Sequence, residues 1–279
     1  ISEFKNESSS SEFNLKFEVS LTNEIILGPI IVKNHINNKN EIIVQDIENK
    51  LHLINSTGQV EWTKKIDGKI IKEINQIDSY KNGKLQYVFV TEKNLYMLDR
   101  KGRDVGKFPL KFNDKITQPI SVFDYDKNKN YRLLITQNNE LFMFDSKGNR
   151  IKGFDYKKKS EIITKPKHFR ISNKDIIVFK TKNNLSIINR RGKIRIKPKK
   201  DYNYSNYQIF QHDNSLITKT SINEIVEIDM KGNTKIEKSM PFNSKLVSDK
   251  NFMFTIEENV ISNMNNDKEI PFGKYDDFK

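Results

Sequence analysis

The stretch Leu95-Tyr-Met-Leu-Asp-Arg-Lys-Gly102 decides the fold because it returns four times: Leu51 to Gly58 (LHLINSTG), Leu141 to Gly148 (LFMFDSKG), Leu185 to Gly192 (LSIINRRG) and Ile225 to Gly232 (IVEIDMKG). Each phrase is an apolar residue, a short strand-forming run, Asp or Asn, two polar residues and Gly. The glycines fall 44, 46, 44 and 40 residues apart. A fixed period in that range marks a repeat architecture whose unit is one small antiparallel sheet. It predicts an all-β protein, a β-propeller of about six four-stranded blades.

The turn in the phrase has a physical reason. Joining a third strand to an outer fourth needs a tight reversal, in which Asp or Asn bonds its own following backbone and Gly supplies a positive φ without a Cβ clash. The pairs Asn55 and Gly58, Asp99 and Gly102, Asp145 and Gly148, Asn189 and Gly192, and Asp229 and Gly232 are therefore read as structural turns. They are not a phosphate cradle, and the chain has no GxGxxG or GxxxxGK[ST] sequence.

Around the phrases, alternating apolar and polar residues divide the chain into units of approximately 27–66, 69–110, 115–156, 161–199, 205–241 and 242–279. Unit two is expected to begin near Ile70 and to end in an outer strand from Val105 to Leu110. In the sixth unit Asn263-Met-Asn-Asn266 stands where the Asp-x-x-Gly turn is expected. The segment Phe13 to Leu21 (FNLKFEVSL) alternates and precedes unit one, which makes it the candidate outer strand that closes the last blade and removes its open edge. A single propeller domain over 13–279 is expected, either six blades or a piece of a seven- or eight-bladed ring. Residues 1–12 read as a fusion scar (Ile1-Ser-Glu-Phe4) and a Ser-rich linker, which suggests that an upstream signal, lipid anchor or membrane helix was removed.

Composition bounds the function classes. In 279 residues, 35% are hydrophobic and 30% charged, which suits many short, half-exposed strands. The absence of cysteine excludes disulfides, thiolate metal sites and Cys nucleophiles, and leaves the compartment open. The longest apolar run, near Ile25 to Val32, is interrupted by Gly28 and Pro29, far short of the ~18 residues a membrane helix needs. The formal charge of +13 would ordinarily point to a polyanion, but Lys and Arg are spread over all units, which does not favour nucleic acid.

The phrase Leu51 to Trp62, Leu-x-x-Ile-Asn-x-x-Gly-x-Val-x-Trp, resembles the repeat of quinoprotein-like (PQQ-like, WD40-like) propellers. In that family the Trp after the turn packs between neighbouring blades; here unit two has Phe108-Pro109 and unit three Phe154 nearby. Asp124 to Leu133, Leu141 to Gly153 and Ile270-Pro-Phe-Gly-Lys-Tyr275 are similar to the propeller region of large cell-envelope proteins of the Bacteroidota. That resemblance implies an extracytoplasmic propeller and little about activity; set beside it is the expectation of a membrane-tethered accessory that docks protein partners in the envelope, with no cofactor. A quinone-dependent enzyme would need aromatic platforms, and the chain has one Trp.

Candidate sites each carry two readings. Asp124, Asp126, Asn128 and Asn130 place four oxygen-bearing side chains at alternate positions of one loop, the pattern with which calcium loops aim hard donors at a point. The other reading is a plain turn, since the loop lacks Gly and carries Lys127 and Lys129. Arg190, Arg191, Lys193, Arg195 and Lys197 form the most basic stretch, extendable by Lys157, Lys158 and Lys159. As an outer strand it would point Lys193, Arg195 and Lys197 to one side and Ile194 and Ile196 to the other. It then serves either to block stray strand pairing or to dock an acidic partner, lipid headgroup or polyanion. The four histidines, His35, His52, His168 and His212, sit in different units without metal-ligand spacing. The expectation is a non-enzymatic interaction scaffold of the periplasm, with an axial-pocket ligand binder or enzyme (sugar or quinone) and a polyanion-binding module as alternatives.

Overall fold

In the computed structural model the described residues are 16–157, 160–240, 244–248, 251–257 and 260–264, with 268–271 described by backbone alone. Six antiparallel sheets follow one another along the chain. Blade 1 contains β1 (Ile25–Lys33), β2 (Asn40–Asp46), β3 (Lys50–Ile54) and β4 (Val60–Lys65). Blade 2 contains β5 (Asn75–Ile77), β6 (Gln86–Val90), β7 (Asn94–Leu98) and β8 (Leu110–Lys111). Blade 3 has three strands, β9 (Ser121–Phe123), β10 (Arg132–Gln137) and β11 (Glu140–Asp145). Blade 4 contains β12 (Lys167–Ile171), β13 (Lys174–Lys180), β14 (Leu185–Ile188) and β15 (Ile194–Ile196). Blade 5 contains β16 (Phe210–His212), β17 (Ser215–Lys219), β18 (Glu224–Asp229) and β19 (Thr234–Ser239), and blade 6 β20 (Lys245–Ser248), β21 (Met253–Glu257), β22 (Val260–Asn263) and β23 (Lys268–Pro271). Within each sheet the strands lie in chain order, so every blade is a simple meander. No described helix is long and apolar enough to cross a membrane.

The central strands are apolar on both faces because they serve two cores at once. Alternate residues of a strand point to opposite faces. On β6, Tyr87 and Phe89 pack with Ile43, Leu51 and Leu53 of blade 1, whereas Val88 and Val90 pack with Leu133 and Ile135 of blade 3. On β13, Ile177 and Phe179 face Leu134 and Met143 of blade 3, and Ile176 and Val178 face Leu216 and Val226 of blade 5. A fifth cluster, with Ile217, Ile225, Leu246 and Met253, joins blades 5 and 6. Among the described residues no such cluster joins blade 6 to blade 1. This succession of sheets packed face to face is that of an all-β propeller.

The repeated turns lock each blade to the one before it. In all five, the Asp or Asn carbonyl accepts the Gly N–H at 3.0–3.1 Å, and its side chain accepts the N–H groups two and four residues on, as Asp99 does from Lys101 (2.8 Å) and Arg103 (3.0 Å). A Cβ on Gly102 would lie 2.9 Å from the Trp62 ring, and one on Gly58 2.8 Å from the Phe17 ring. Phe108 and Leu110 occupy that place over Gly148, the Asp155–Tyr156 backbone over Gly192, and Ile196 with the Lys197 carbonyl over Gly232. The glycine is thus required both for its φ and for the residue docked on it.

Several sequence expectations are corrected. Residues 16–21 form no strand; Phe17 docks on blade 1 as Trp62 docks on blade 2, and Phe13 to Leu15 lie outside the described residues. Blade 2 begins at Asn75, because Ile70 belongs to the connection, where its N–H binds Gln45 Oε1 at 2.9 Å. The expected outer strand Val105 to Leu110 is instead a turn containing the cis Phe108–Pro109 bond, followed by the two-residue β8. Blade 3 keeps only a single bridge, Phe144 to Arg150, in place of a fourth strand. Blade 6 takes its fourth strand, β23, from its own unit rather than from the Phe13 to Leu21 segment; Asn265 and Asn266 of its expected turn, and Lys158 and Lys159, are outside the described residues.

Candidate interaction face

In an antiparallel meander the first and third connections leave from the same end. The five Asp-x-x-Gly turns therefore share one end of the blades with the loops that begin at Asn34, Asp78 and Asp124.

Asp78 and Asp124 build two copies of one loop. The Asp78 carboxylate accepts the N–H groups of Asn82 and Gly83, both at 2.9 Å, and Asp124 those of Asn128 (3.1 Å) and Lys129 (2.9 Å). Lys129, at φ 61°, takes the left-handed position that Gly83 holds at φ 81°. The rest of the candidate calcium set is engaged separately. Asn128 Oδ1 accepts the Asn130 N–H at 3.1 Å, Asn130 Oδ1 accepts the Lys81 ammonium at 2.7 Å, and Asp126 is gripped by Arg170 (2.9 Å) and Arg190 (2.7 Å). The four side chains thus serve separate partners, as in a capped turn, while Asp126, Asn128 and Asn130 all line one cleft between blades 3 and 4. Among the described residues no three His, Asp or Glu side chains gather where one ion could be held.

The basic stretch is divided in the same way. Arg190 pairs with Asp126 and with Asp175 (2.6 Å), and its guanidinium lies 4.4 Å from the centre of the Tyr125 ring, a cation–π contact. Hydrogen bonds from Arg190 and then Arg170 hold the Asp126 carboxyl down to about 2. Lys193 pairs with Asp155, and Arg195 Nε donates to the Asp175 carbonyl at 3.3 Å, while Arg191 and Lys197 are exposed. The expected alternation fails at one place: a bulge between Ile187 and Ile188 sets Ile194 opposite Ile188 and leaves it 56% exposed, while Ile196 enters the core between blades 4 and 5.

Two clefts open at this end. One, of about 280 Å³, lies between blades 3 and 4 and is lined by Tyr125, Asp126, Arg132, Met143, Arg190 and Arg191 among others. The other, of about 570 Å³, lies between blades 1 and 2. Its walls are His35 and Ile36 from the β1–β2 loop, Tyr80, Asn82, Lys84 and Leu85 from the β5–β6 loop with Gln86 at the start of β6, and Asp99, Arg100, Lys101 and Arg103 from the β7–β8 turn. Arg100 is its backstop: it pairs at 2.5 Å with Glu41, which is 1% exposed, while its carbonyl accepts the Trp62 indole N–H at 2.7 Å. His35 Nδ1 accepts the Leu85 N–H at 3.2 Å, so the ring proton sits on Nε2. Burial, then Arg100 and Lys84, push the His35 pKa down.

The opposite end holds polar groups that the sequence reading did not single out. Lys180 is fully buried, donates to the carbonyls of Ser205 (3.2 Å) and Tyr207 (2.6 Å), and is pushed down to about 7 by burial and then by Lys167. Lys219, 1% exposed, donates to the Ser244 carbonyl. These ammoniums tie blade 4 to the lead-in of blade 5, and blade 5 to that of blade 6. A usable signal existed: the same place in units two and three is Val90 and Thr136, whose carbonyls accept the N–H of Ile71 and Thr117 as that of Lys180 accepts Ile163. Lys165 meets Glu73 of the blade 2 lead-in, an ion pair that joins two non-adjacent blades. In blade 1, His52 bridges Asp46 (3.2 Å) and Thr63 (2.9 Å), its direct partner across β3 and β4. That line ties β2, β3 and β4 together within one blade.

No family model matches the chain, and no curated protein matches it. Solved structures do. BamB from Moraxella catarrhalis superposes with a TM-score of 0.61 at 11% identity, over 89% of this chain and 73% of that one. BBS1N, crystallised in complex with ARL6DN, gives 0.57 at 11% identity over 89% and 82%. The dihydro-heme d1 dehydrogenase NirN in complex with DHE gives 0.58 at 14% identity over 84% and 55%. At these identities the likeness shows the shared propeller fold.

Proposed function

We propose that this chain is a non-enzymatic propeller scaffold that holds protein partners in the bacterial cell envelope, as an accessory of outer-membrane assembly or secretion. The observation that carries the reading is the construction of the turn end. Its Asp and Asn side chains cap their own loops, and its arginines reach from one blade to the acid of the previous one, Arg100 to Glu41 and Arg190 to Asp126. Charged groups used on one another make a stiff display surface, and stiff loops bind with less ordering entropy lost.

BBS1N, one of the fold neighbours, was crystallised with a protein partner, which supports the reading, whereas NirN is a dehydrogenase, so fold alone cannot carry it. The envelope assignment rests on the resemblance of Asp124 to Leu133 and Ile270 to Tyr275 to Bacteroidota envelope propellers. The test is affinity capture from detergent-solubilised envelopes of the source bacterium, with an unrelated propeller as control. Recovery of a defined complex on this chain alone is the expected result. Empty capture, together with a small-molecule-induced rise in melting temperature, would transfer the assignment to a ligand-binding propeller.

A further inference from the structure

We infer that the cleft between blades 1 and 2 is the partner site, and that it takes an extended acidic segment of a partner protein carrying one large apolar side chain. The inference rests on the scaffold reading and adds the place and the chemistry. At about 570 Å³ the cleft falls within the range of ligand-sized sites, ~300–1,000 Å³.

Its charge is one-sided. Lys84, Arg100, Lys101 and Arg103 line it, and the lining acid is Asp99, which Arg103 engages at 2.6 Å. Arg100 is answered from behind by Glu41. Lys84 and Lys101 are exposed and have no acidic partner among the described residues, and they approach from two different elements, the β5–β6 loop and the β7–β8 turn. The lowered pKa of His35 follows in part from the same surplus of positive charge. Its Nε2–H remains as a donor beside these cations.

The apolar component is equally local. Ile36 is 72% exposed and Tyr80 61% exposed, and both line this cleft with the half-buried Leu85. Single exposed apolar residues need no explanation, but two flanking one cleft form a patch. Tyr and Arg around an apolar centre, with cations at the edge, is the composition of protein interface cores. Nucleic acid would call for a groove of cations tracking a backbone with successive aromatic stacking platforms. Here a single tyrosine lies beside aliphatic side chains, and the two exposed lysines come from separate elements, an arrangement that suits carboxylates placed around one inserted apolar side chain.

The test is selection of a random displayed peptide library on the whole chain, followed by binding measurements of the selected peptides to wild type, Lys84→Glu/Lys101→Glu and Ile36→Asp. These side chains are exposed, and thermal melts confirm that the variants fold. The expected result is a set of peptides with several acids around one large apolar residue, whose affinity falls at least tenfold in both variants. Binding should also raise the pKa of His35, read from its ring-proton shifts across a pH series. Selection of no acidic peptides, or unchanged affinity for Lys84→Glu/Lys101→Glu, overturns the proposal. Repeating the envelope capture with that variant separates the two readings: a complex still recovered leaves the scaffold standing and removes this cleft, and a complex recovered by neither chain removes both.

Discussion

Replacing Gly102 with Ala tests the claim that each turn glycine has two separate reasons to be glycine. Its φ of +75° puts an L side chain in the left-handed region, at a cost of about 1–2 kcal/mol. The added Cβ would also stand 2.9 Å from Trp62 Cδ2 and 3.0 Å from Cε3. Trp62 cannot slide away freely, because its indole N–H is bonded to the Arg100 carbonyl at 2.7 Å. Overpacking of this kind costs a further ~1–3 kcal/mol. Gly83 isolates the first effect: its φ is +81° and an added Cβ meets nothing within 4 Å. Both substitutions gain similarly from a stiffer unfolded chain, so that effect cancels in the comparison. Urea unfolding should therefore place Gly83→Ala at about 1–2 kcal/mol and Gly102→Ala at about 2–5 kcal/mol below wild type. Gly192→Ala should be harsher still, since its Cβ would press on the Asp155–Tyr156 backbone at 2.8 Å, where no side chain can rotate aside. The decisive step is a double-mutant cycle: in a Trp62→Ala background the excess cost at Gly102 should vanish. Equal costs at Gly83 and Gly102, or an excess that survives removal of the indole, would refute the docking argument.

Three further outcomes follow from buried charge. Arg100→Ala leaves Glu41, 1% exposed, without its cation and should cost about 3–5 kcal/mol in chemical denaturation, with partial rescue by Glu41→Gln. Burial alone would raise the Asp46 carboxyl, yet hydrogen bonds from Asn23, the Lys50 N–H and His52 outweigh it and hold it down to about 2 against 3.8 in the free side chain. A carboxylate depressed on folding stabilises above its unfolded pKa, so this contribution, about 2 kcal/mol, is complete above 3.8 and lost as pH falls through about 2; Asp46→Asn should flatten that part of an acid-unfolding profile. For Lys180 the sign is opposite. Its folded pKa of about 7 lies below the unfolded 10.5, the unfolded chain binds the extra proton between them, and stability should rise with pH across that window by up to about 1.4 kcal/mol per unit. Lys180→Met should abolish the rise in urea midpoints measured over the same window.

The turns and the central strands were legible because local rules govern them. A tight reversal needs Asp or Asn and Gly wherever it occurs, and a strand between two cores must be apolar on both faces along its buried length, as Tyr87 to Val90 and Ile176 to Phe179 are. The outer strands were not legible, since they are half-exposed and their composition is free; in blade 2 the cis Phe108–Pro109 bond and in blade 3 a single bridge replace a regular fourth strand. Ile194 was misjudged because a bulge, invisible in the alternation, shifts the face by one residue. The candidate site lay further from view. Asp126 reads as a calcium donor beside its own neighbours, but its partners Arg170 and Arg190 are 44 and 64 positions away. The pair Glu41 and Arg100 is separated by 59 positions. Only the packing of blade on blade brings such residues together.

That packing also accounts for where the clefts lie. The residue after the turn Asp or Asn sits beside the group docked from the previous blade, as the Arg100 carbonyl does beside Trp62. From there a long cationic side chain reaches an acid of the previous blade, and this happens at Arg100 in blade 2 and at Arg190 in blade 4. Blades 3 and 5 carry Ser146 and Met230 at the same place, too short or too apolar to make that reach. Both turn-end clefts described above lie at the arginine-bearing interfaces, between blades 1 and 2 and between blades 3 and 4. The turn glycine seats the group docked from the previous blade, and at the two arginine-bearing interfaces the residue two positions before that glycine lines the cleft. At those two interfaces one position of the repeat holds the packing of blade on blade while another lines the cleft.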